Sequence, residues 1–243
     1  MYPEDRITAT QLVMLLSTSV FGTQYLLMPR IIASWVGRDG WILLGLSGLV
    51  AAIVVTLIIV LNRRYEGKDI LEFASVILGR WFGFLFIGFF VALFYLLSTY
   101  TLRSFGDVIK LFLLKRTPLE VIILAMLFTV AYLLGHGMNP LARAAQVFFP
   151  IIALFIGVVF LGVQPLADYT EVLPVFGQGL VSLVKAAPVS CAFFVGYSAV
   201  GIFAPLLREP GRALSAGLAA VGLTLFGYVV SYIIVLAVFG PKE

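Results

Sequence analysis

Seven long stretches of this chain contain no Asp, Glu, Lys or Arg: Ile7–Pro29, Trp41–Asn62, Trp81–Leu102, Val121–Ala142, Ala144–Ala167, Ala186–Leu207 and Ala213–Pro241. About 20 predominantly apolar residues are enough to cross the hydrocarbon core of a bilayer as a helix. Every stretch reaches that length, and none alternates apolar and polar residues as a barrel strand would. In lipid a segment must satisfy its own backbone hydrogen bonds, so spans of this kind are helices. The pattern predicts an all-α integral membrane protein, a single transmembrane domain over 1–243. Its spans are expected near 7–32, 41–61, 81–103, 120–138, 145–164, 186–207 and 213–239. Composition agrees, with 62% of residues hydrophobic and 12% charged, about half the charge density of a soluble domain. A soluble enzyme, a nucleic-acid-binding module and a disordered chain are excluded.

The first run is read as membrane structure rather than a signal peptide. It follows a mixed-charge preamble, Met1 to Arg6, and lacks a clear A-x-A cleavage site. The connections are short, and neither 62–80 nor 164–185 could hold a catalytic domain. Arg63, Arg64, Lys68 and Arg80 make 62–80 the most basic connection. The positive-inside rule then puts it and the N-terminus in the cytoplasm, with Glu243 outside. Cys191, the only cysteine, is expected as a buried, inert thiol. There is no phosphate-binding loop, no C-x-x-C and no H-E-x-x-H, and a single histidine cannot build a multi-histidine metal site. The chain is therefore read as no enzyme, with no cofactor and no metal. A retinal protein would need a lysine inside the seventh run, which has none.

Two runs look interrupted. Phe21-Gly22-Thr23-Gln24-Tyr25 precedes Pro29, and Phe193-Phe194-Val195-Gly196-Tyr197-Ser198 precedes Gly201 and Pro205. Each joins a central glycine, polar neighbours and a following proline that cannot donate to the helix ladder. In transporters, broken helices near the midplane free backbone groups for substrate. Gly and Pro are also simply common in membrane helices. Their matching positions in the first and sixth runs predict breaks near Gly22–Tyr25 and Gly196–Ser198.

Phe21-Gly22-Thr23-Gln24-Tyr25-Leu26-Leu27-Met28-Pro29 resembles the G-x-G-I-F-x-x-P signature of amino acid/polyamine/organocation transporters. Phe194-Val195-Gly196-Tyr197-Ser198 is similar to the sixth-helix F-x-G-[FY]-[ED] of that superfamily. Within it the chain resembles the membrane-embedded B subunit of spore germinant receptors. The resemblance runs through ITATQLVMLL, GRDGW from Gly37 to Trp41, LGR, Thr117-Pro118, GHGMNPLARAAQVFFPI and LPVFGQGLVSLVKAA. It implies a LeuT-like inverted-repeat scaffold with helices one and six broken and a ligand pocket between spans one, three, six and eight. On that scheme the first repeat covers about 1–164 and a partial second repeat about 186–243, the chain being truncated to about seven spans. Gln24 replaces the second glycine of the first-helix signature, and Ser198 stands where many relatives place an acid.

The resemblance further implies a sensor of amino-acid-like nutrients in the cell membrane or spore inner membrane. Its partners would be a soluble-domain membrane subunit and a lipoprotein, with no nucleic acid. Alternatives are an active amino acid transporter, proton-coupled or not, and a truncated relative without function. Span five carries no charged residue for ion coupling, which favours sensing.

The expected ligand-binding residues are Gly22, Thr23, Gln24, Tyr95, Ser98, Thr99, Gly196, Tyr197 and Ser198. Amides at Gly22 and Thr23, at the start of a half-helix, would suit a carboxylate. Carbonyls of the unwound sixth span would take an amine. Tyr95, Ser98 and Thr99 stand at helical spacing in span three, where they line the pocket or bond a neighbouring helix. Arg103 and Asp107, four apart, read as an exposed or half-exposed pair. His136 reads as a loop residue or, more sharply, a proton relay.

Overall fold

Thr8 starts the first helix. Its hydroxyl accepts from the N–H of Gln11 at 3.2 Å, and the Gln11 side chain accepts from the N–H of Thr8 at 2.8 Å. This reciprocal cap satisfies two donors that a helix start leaves open. The computed structural model describes residues 6–22, 24–65, 68–172 and 179–240. Among them the helices are α1 (Ala9–Phe21), α2 (Gln24–Val36), α3 (Gly40–Arg64), α4 (Ile70–Phe112), α5 (Leu119–Gly135), α6 (Met138–Val163), α7 (Gly179–Ala192), the short α8 (Val200–Phe203) and α9 (Ala213–Phe239). The described residues contain no strand beyond one isolated bridge between Ile7 and Leu207. Thr23 and Glu243 lie outside the described residues.

Buried apolar residues concentrate on α1, α3 and α9. α1 lies against α6 and α9, and α3 against α9 and α7. Glycines bring α3 and α9 together. A Cβ at Gly48 would stand 2.7 Å from the Leu225 side chain, and one at Gly217 2.8 Å from Val55. Small residues let helix backbones approach where lipid supplies no hydrophobic drive between helices. α4, α5 and much of α6 face outward, so that Trp81, Phe84, Phe128 and Leu161 are each at least 74% exposed. On spanning helices these apolar rings and branches form the lipid-facing surface.

The expected seven spans are reproduced only in part. Four helical stretches among the described residues are long and apolar enough to cross a membrane: Leu27–Arg64, Ile70–Phe112, Met138–Leu166 and Pro210–Phe239. The pair Val181–Ala192 and Val195–Leu206, bent by 45°, makes a fifth. Ala9–Phe21 and Leu119–Gly135 are apolar but shorter. The first run divides into α1 and α2, and α2 passes into α3 through a 3₁₀ turn, Gly37–Asp39. Gly37 has φ of 51°, a left-handed conformation that suits glycine.

The connection expected at 62–80 contains a helix. Asp69 caps it, accepting from the N–H groups of Leu71 and Glu72 at 2.9 Å each. Gly79, at φ 76° and ψ 173°, then kinks the chain, and α4 resumes to Phe112. It continues past Arg103, Asp107 and Lys110, because a helix can leave the hydrocarbon without ending. Arg103 and Asp107 pair at 3.1 Å, with side chains 64% and 53% exposed.

One end of the bundle is tied by the backbone. The N–H of Ile7 donates to Leu206 O, and the N–H of Arg208 to Ile7 O, both at 3.0 Å. The Arg63 guanidinium donates to Gly211 O at 2.9 Å. Arg6, Arg63, Arg208 and Arg212 therefore gather at a common end. Elsewhere, the N–H of Asp168 donates to Ala237 O at 2.8 Å, joining the segment after α6 to the end of α9. The hydroxyl and N–H of Thr170 donate to the Asp168 carboxylate and hold it below the usual carboxylate range.

Candidate functional site

Two helix breaks meet inside the bundle. α1 ends at Phe21 and α2 begins at Gln24. α7 ends at Ala192, and Val195–Ala199 winds as a 3₁₀ helix before α8. This second break begins a little before Gly196. Phe193 and Phe194 already donate three residues back, to Ser190 O and Cys191 O, at 3.2 and 2.9 Å. The last turn of α1 lies on the 3₁₀ segment, since a Cβ on Gly196 would stand 3.0 Å from Val20 Cγ2.

Aromatic rings bind the breaks together. Phe21 stacks on Tyr25 across the first break, with centroids 4.6 Å apart, and on Tyr228 of α9 at 5.7 Å. Phe194, from the second break, meets Tyr228 edge-on at 5.6 Å. The tyrosine hydroxyls then meet backbone carbonyls. Tyr228 donates to Val20 O at 2.8 Å, using one of the last four carbonyls of α1, which a helix end leaves without partners. Tyr197 donates to Ala220 O at 2.8 Å and lies 2.6 Å from the Thr224 hydroxyl. Tyr232 donates to Gly37 O, at the turn into α3. Ser17, Thr224 and Ser231 are buried in the same interior, and the Thr18 hydroxyl is buried without a hydrogen-bond partner.

Of the expected binding residues, Gly22, Gly196, Tyr197 and Ser198 lie at these breaks, and Gln24 opens α2. Thr23 lies outside the described residues. The N–H of Gly22 donates back to Thr18 O at 3.2 Å, so it is engaged rather than free. The first turn of α2, like any helix start, carries N–H groups without partners inside the helix. Ser198 bonds its own turn, donating to Val195 O at 2.7 Å. Tyr95, Ser98 and Thr99 are not brought to the breaks. All three are exposed on α4, and Thr99 donates to Tyr95 O within its own helix. His136 caps the exposed end of α5, its Nδ1 2.7 Å from Tyr132 O. Cys191 is half-buried rather than fully buried, and its thiol reaches the Ser47 hydroxyl at 3.6 Å. Among the described residues, no three of His, Cys, Asp and Glu gather as a metal site would need.

The residues that sequence reasoning missed are Ser17, Thr18, Tyr25, Thr224, Tyr228 and Ser231. A signal existed for those on α9. Thr224, Tyr228, Ser231 and Tyr232 follow i, i+4, i+7, i+8, one polar stripe on an otherwise apolar helix.

Long apolar helices around an interior of apposed breaks define a multi-pass membrane protein, of the cell membrane or the spore inner membrane. The chain belongs to the spore germination protein family, whose sequence profile matches residues 6–243. It is 25% identical to spore germination protein B2 of Bacillus subtilis (strain 168) over 241 residues, covering 99% of this chain and 65% of that protein. It is 25% identical to spore germination protein YndE of the same organism, covering 96% of this chain and 65% of that one. For spore germination protein A2, also of that strain, identity is 22%, covering 98% and 66%. The chain thus spans just under two thirds of the length of these relatives. No solved structure matches it. The family is one of spore germination proteins.

Proposed function

We propose that this chain is the membrane-embedded nutrient-sensing subunit of a spore germinant receptor, built on an amino-acid-permease scaffold. The observation that carries the reading is the apposition of two helix breaks, with Gly196 against Val20, in an interior lined by hydroxyls. Tyr197 and Tyr228 spend their hydroxyls on backbone carbonyls, whereas the Thr18 hydroxyl is buried without a partner and is open to a polar ligand. In this reading the first repeat covers about 1–164 and a partial second repeat 186–243. A small amino acid would set its carboxylate at the start of α2, where amides and the helix dipole favour an anion. Its amine would meet carbonyls of the second break, and the Thr18 hydroxyl supplies a further polar contact. Binding would shift the balance between two arrangements of α2 and α7, sensed by a soluble-domain membrane subunit and a lipoprotein.

Thermal unfolding of the purified chain in micelles, with a panel of L-amino acids, tests this. A ligand at a hundred times its Kd adds about 2.7 kcal/mol of stability, roughly 5 to 10 °C for a chain of this size. At least one amino acid is expected to do so. Gly22→Val should remove the shift, since its added Cβ meets only Thr18 O, at 3.8 Å, and so fills the approach to the backbone rather than the core. Asp107→Asn, at the exposed end of α4, should preserve it. If no amino acid stabilises the protein, or if Gly22→Val still responds and Asp107→Asn does not, the proposed site is wrong.

A further inference from the structure

A second space opens beside the second break, with Phe194, Val195 and Tyr197 in its wall. It is a cavity of about 550 Å³ between α3, α4 and that break, bordered by Ser198 and Cys191 but walled mostly by apolar side chains such as Ala51, Ile58, Phe73 and Phe90. Its size suits a molecule of ligand dimensions. Four of its lining residues, Val50, Val54, Ile77 and Leu78, are 41% to 48% exposed. Val50 and Val54 lie on α3, which is long and apolar enough to cross the membrane, so that side of the mouth faces hydrocarbon, while Ile77 and Leu78 border it from the short stretch of α4 before the kink at Gly79.

One end of the cavity is basic. Leu61 lines it, and Arg64 follows three residues later on the same helix face. Tyr65 stacks on the cavity residue Phe73, with centroids 5.9 Å apart, and the N–H of Lys68 donates to Tyr65 O at 3.1 Å. Arg80 stands two residues beyond Leu78, across the kink at Gly79. Arg64, Lys68 and Arg80 are all exposed. Of the acids described here, Asp69 is committed to capping α4 and Glu72 is exposed.

We propose that this cavity holds an acyl chain of one anionic phospholipid, whose phosphate sits at the basic end formed by Arg64, Lys68 and Arg80. Two features fit that occupant together. The wall is apolar and open to the bilayer, which suits a hydrocarbon chain. The cations stand at the cavity's end, where snorkelling side chains meet headgroups, and each basic residue near an anionic surface strengthens attraction about fivefold. The cavity shares Phe194, Tyr197 and Ser198 with the second break, but lipid retention is read with no amino acid present, so its failure and that of amino-acid sensing are distinguishable.

Native mass spectrometry of the chain released from micelles tests it, with phosphatidylglycerol and phosphatidylcholine of identical acyl chains supplied equally. One retained phospholipid is expected, with phosphatidylglycerol favoured about tenfold or more. Val54→Phe, which fills the mouth from α3, should reduce retention at least about fivefold while the melting temperature holds. Ile77→Phe fills the same mouth from α4 and replaces it should that variant fail to fold. Arg64→Gln with Arg80→Gln should bring the two lipids close to equal retention. Equal retention of the two lipids by the unaltered chain overturns the proposal. So does undiminished retention in a folded cavity-filling variant, or a folded chain that retains no phospholipid because another protein segment fills the space.

Discussion

Tyr228 shows how one hydroxyl can hold a broken helix in place. Its ring packs between Phe21 and Phe194, and its hydroxyl donates to Val20 O at the open end of α1. Tyr228→Phe keeps the ring and removes that bond. Hydrogen bonds inside membrane proteins contribute about 0.6 kcal/mol on average and up to about 1.7. The variant is therefore expected to lose about 0.5 to 1.5 kcal/mol, read as a lower melting temperature in micelles. Tyr95→Phe, whose parent residue is 71% exposed on α4, should leave that temperature unchanged. Equal losses in both would remove the special role assigned to Tyr228. At this scale the sequence was only partly legible. Gly22 and Gly196 announce themselves by composition, whereas Tyr228 looks like any aromatic residue in an apolar run until its neighbours are known.

Among the elements, the seam between α3 and α9 carries the closest packing. Gly217 faces Val55 and Ile59, and Gly48 faces Leu225. Overpacking a filled seam costs about 1–3 kcal/mol. Gly217→Val should lose that amount in a thermal or chaotrope unfolding series, while Gly222→Val, on the same helix with nothing within 4 Å, should lose far less. Comparable losses would mean that helix propensity, not the seam, sets the cost. The elements also show why runs of hydropathy mislead about boundaries. Charge-free stretches mark where lipid is, not where a helix stops, so α4 runs on past Arg103 to Phe112. The helix before Gly79 was legible in principle. Asp69 is a good cap, and Ile70, Phe73, Ala74 and Ile77 follow i, i+3, i+4, i+7, the apolar stripe of a half-buried helix.

For the molecule as a whole, the orientation in the membrane follows from which charges share an end. Arg6, Arg63 and Arg208 are gathered by the bonds around Ile7 and Gly211. Lys68 precedes α4 and Arg116 follows it, so a crossing by α4 separates them. In a Cys191→Ser background, Lys68→Cys and Arg116→Cys should react with a membrane-impermeant thiol reagent from opposite sides, position 68 from the cytoplasm. Labelling of both from one side would mean that α4 does not cross, and labelling of 68 only from outside would invert the proposed topology.

From the sequence alone came the class of protein, the apolar runs, the two interruptions and the family. Each depends on local chemistry: length without charge, glycine and proline within an apolar run, and residue order. Only the tertiary structure decided which interruptions face each other, that Tyr228 of α9 lends its hydroxyl to the break in the first span, and that Tyr95, Ser98 and Thr99 turn outward. In a helix that is apolar all round, hydropathy hardly distinguishes the face toward lipid from the face toward protein. Rotation about the helix axis is set by small residues, ring stacking and hydrogen bonds to neighbours far away in the chain, and those exist only once the helices have packed.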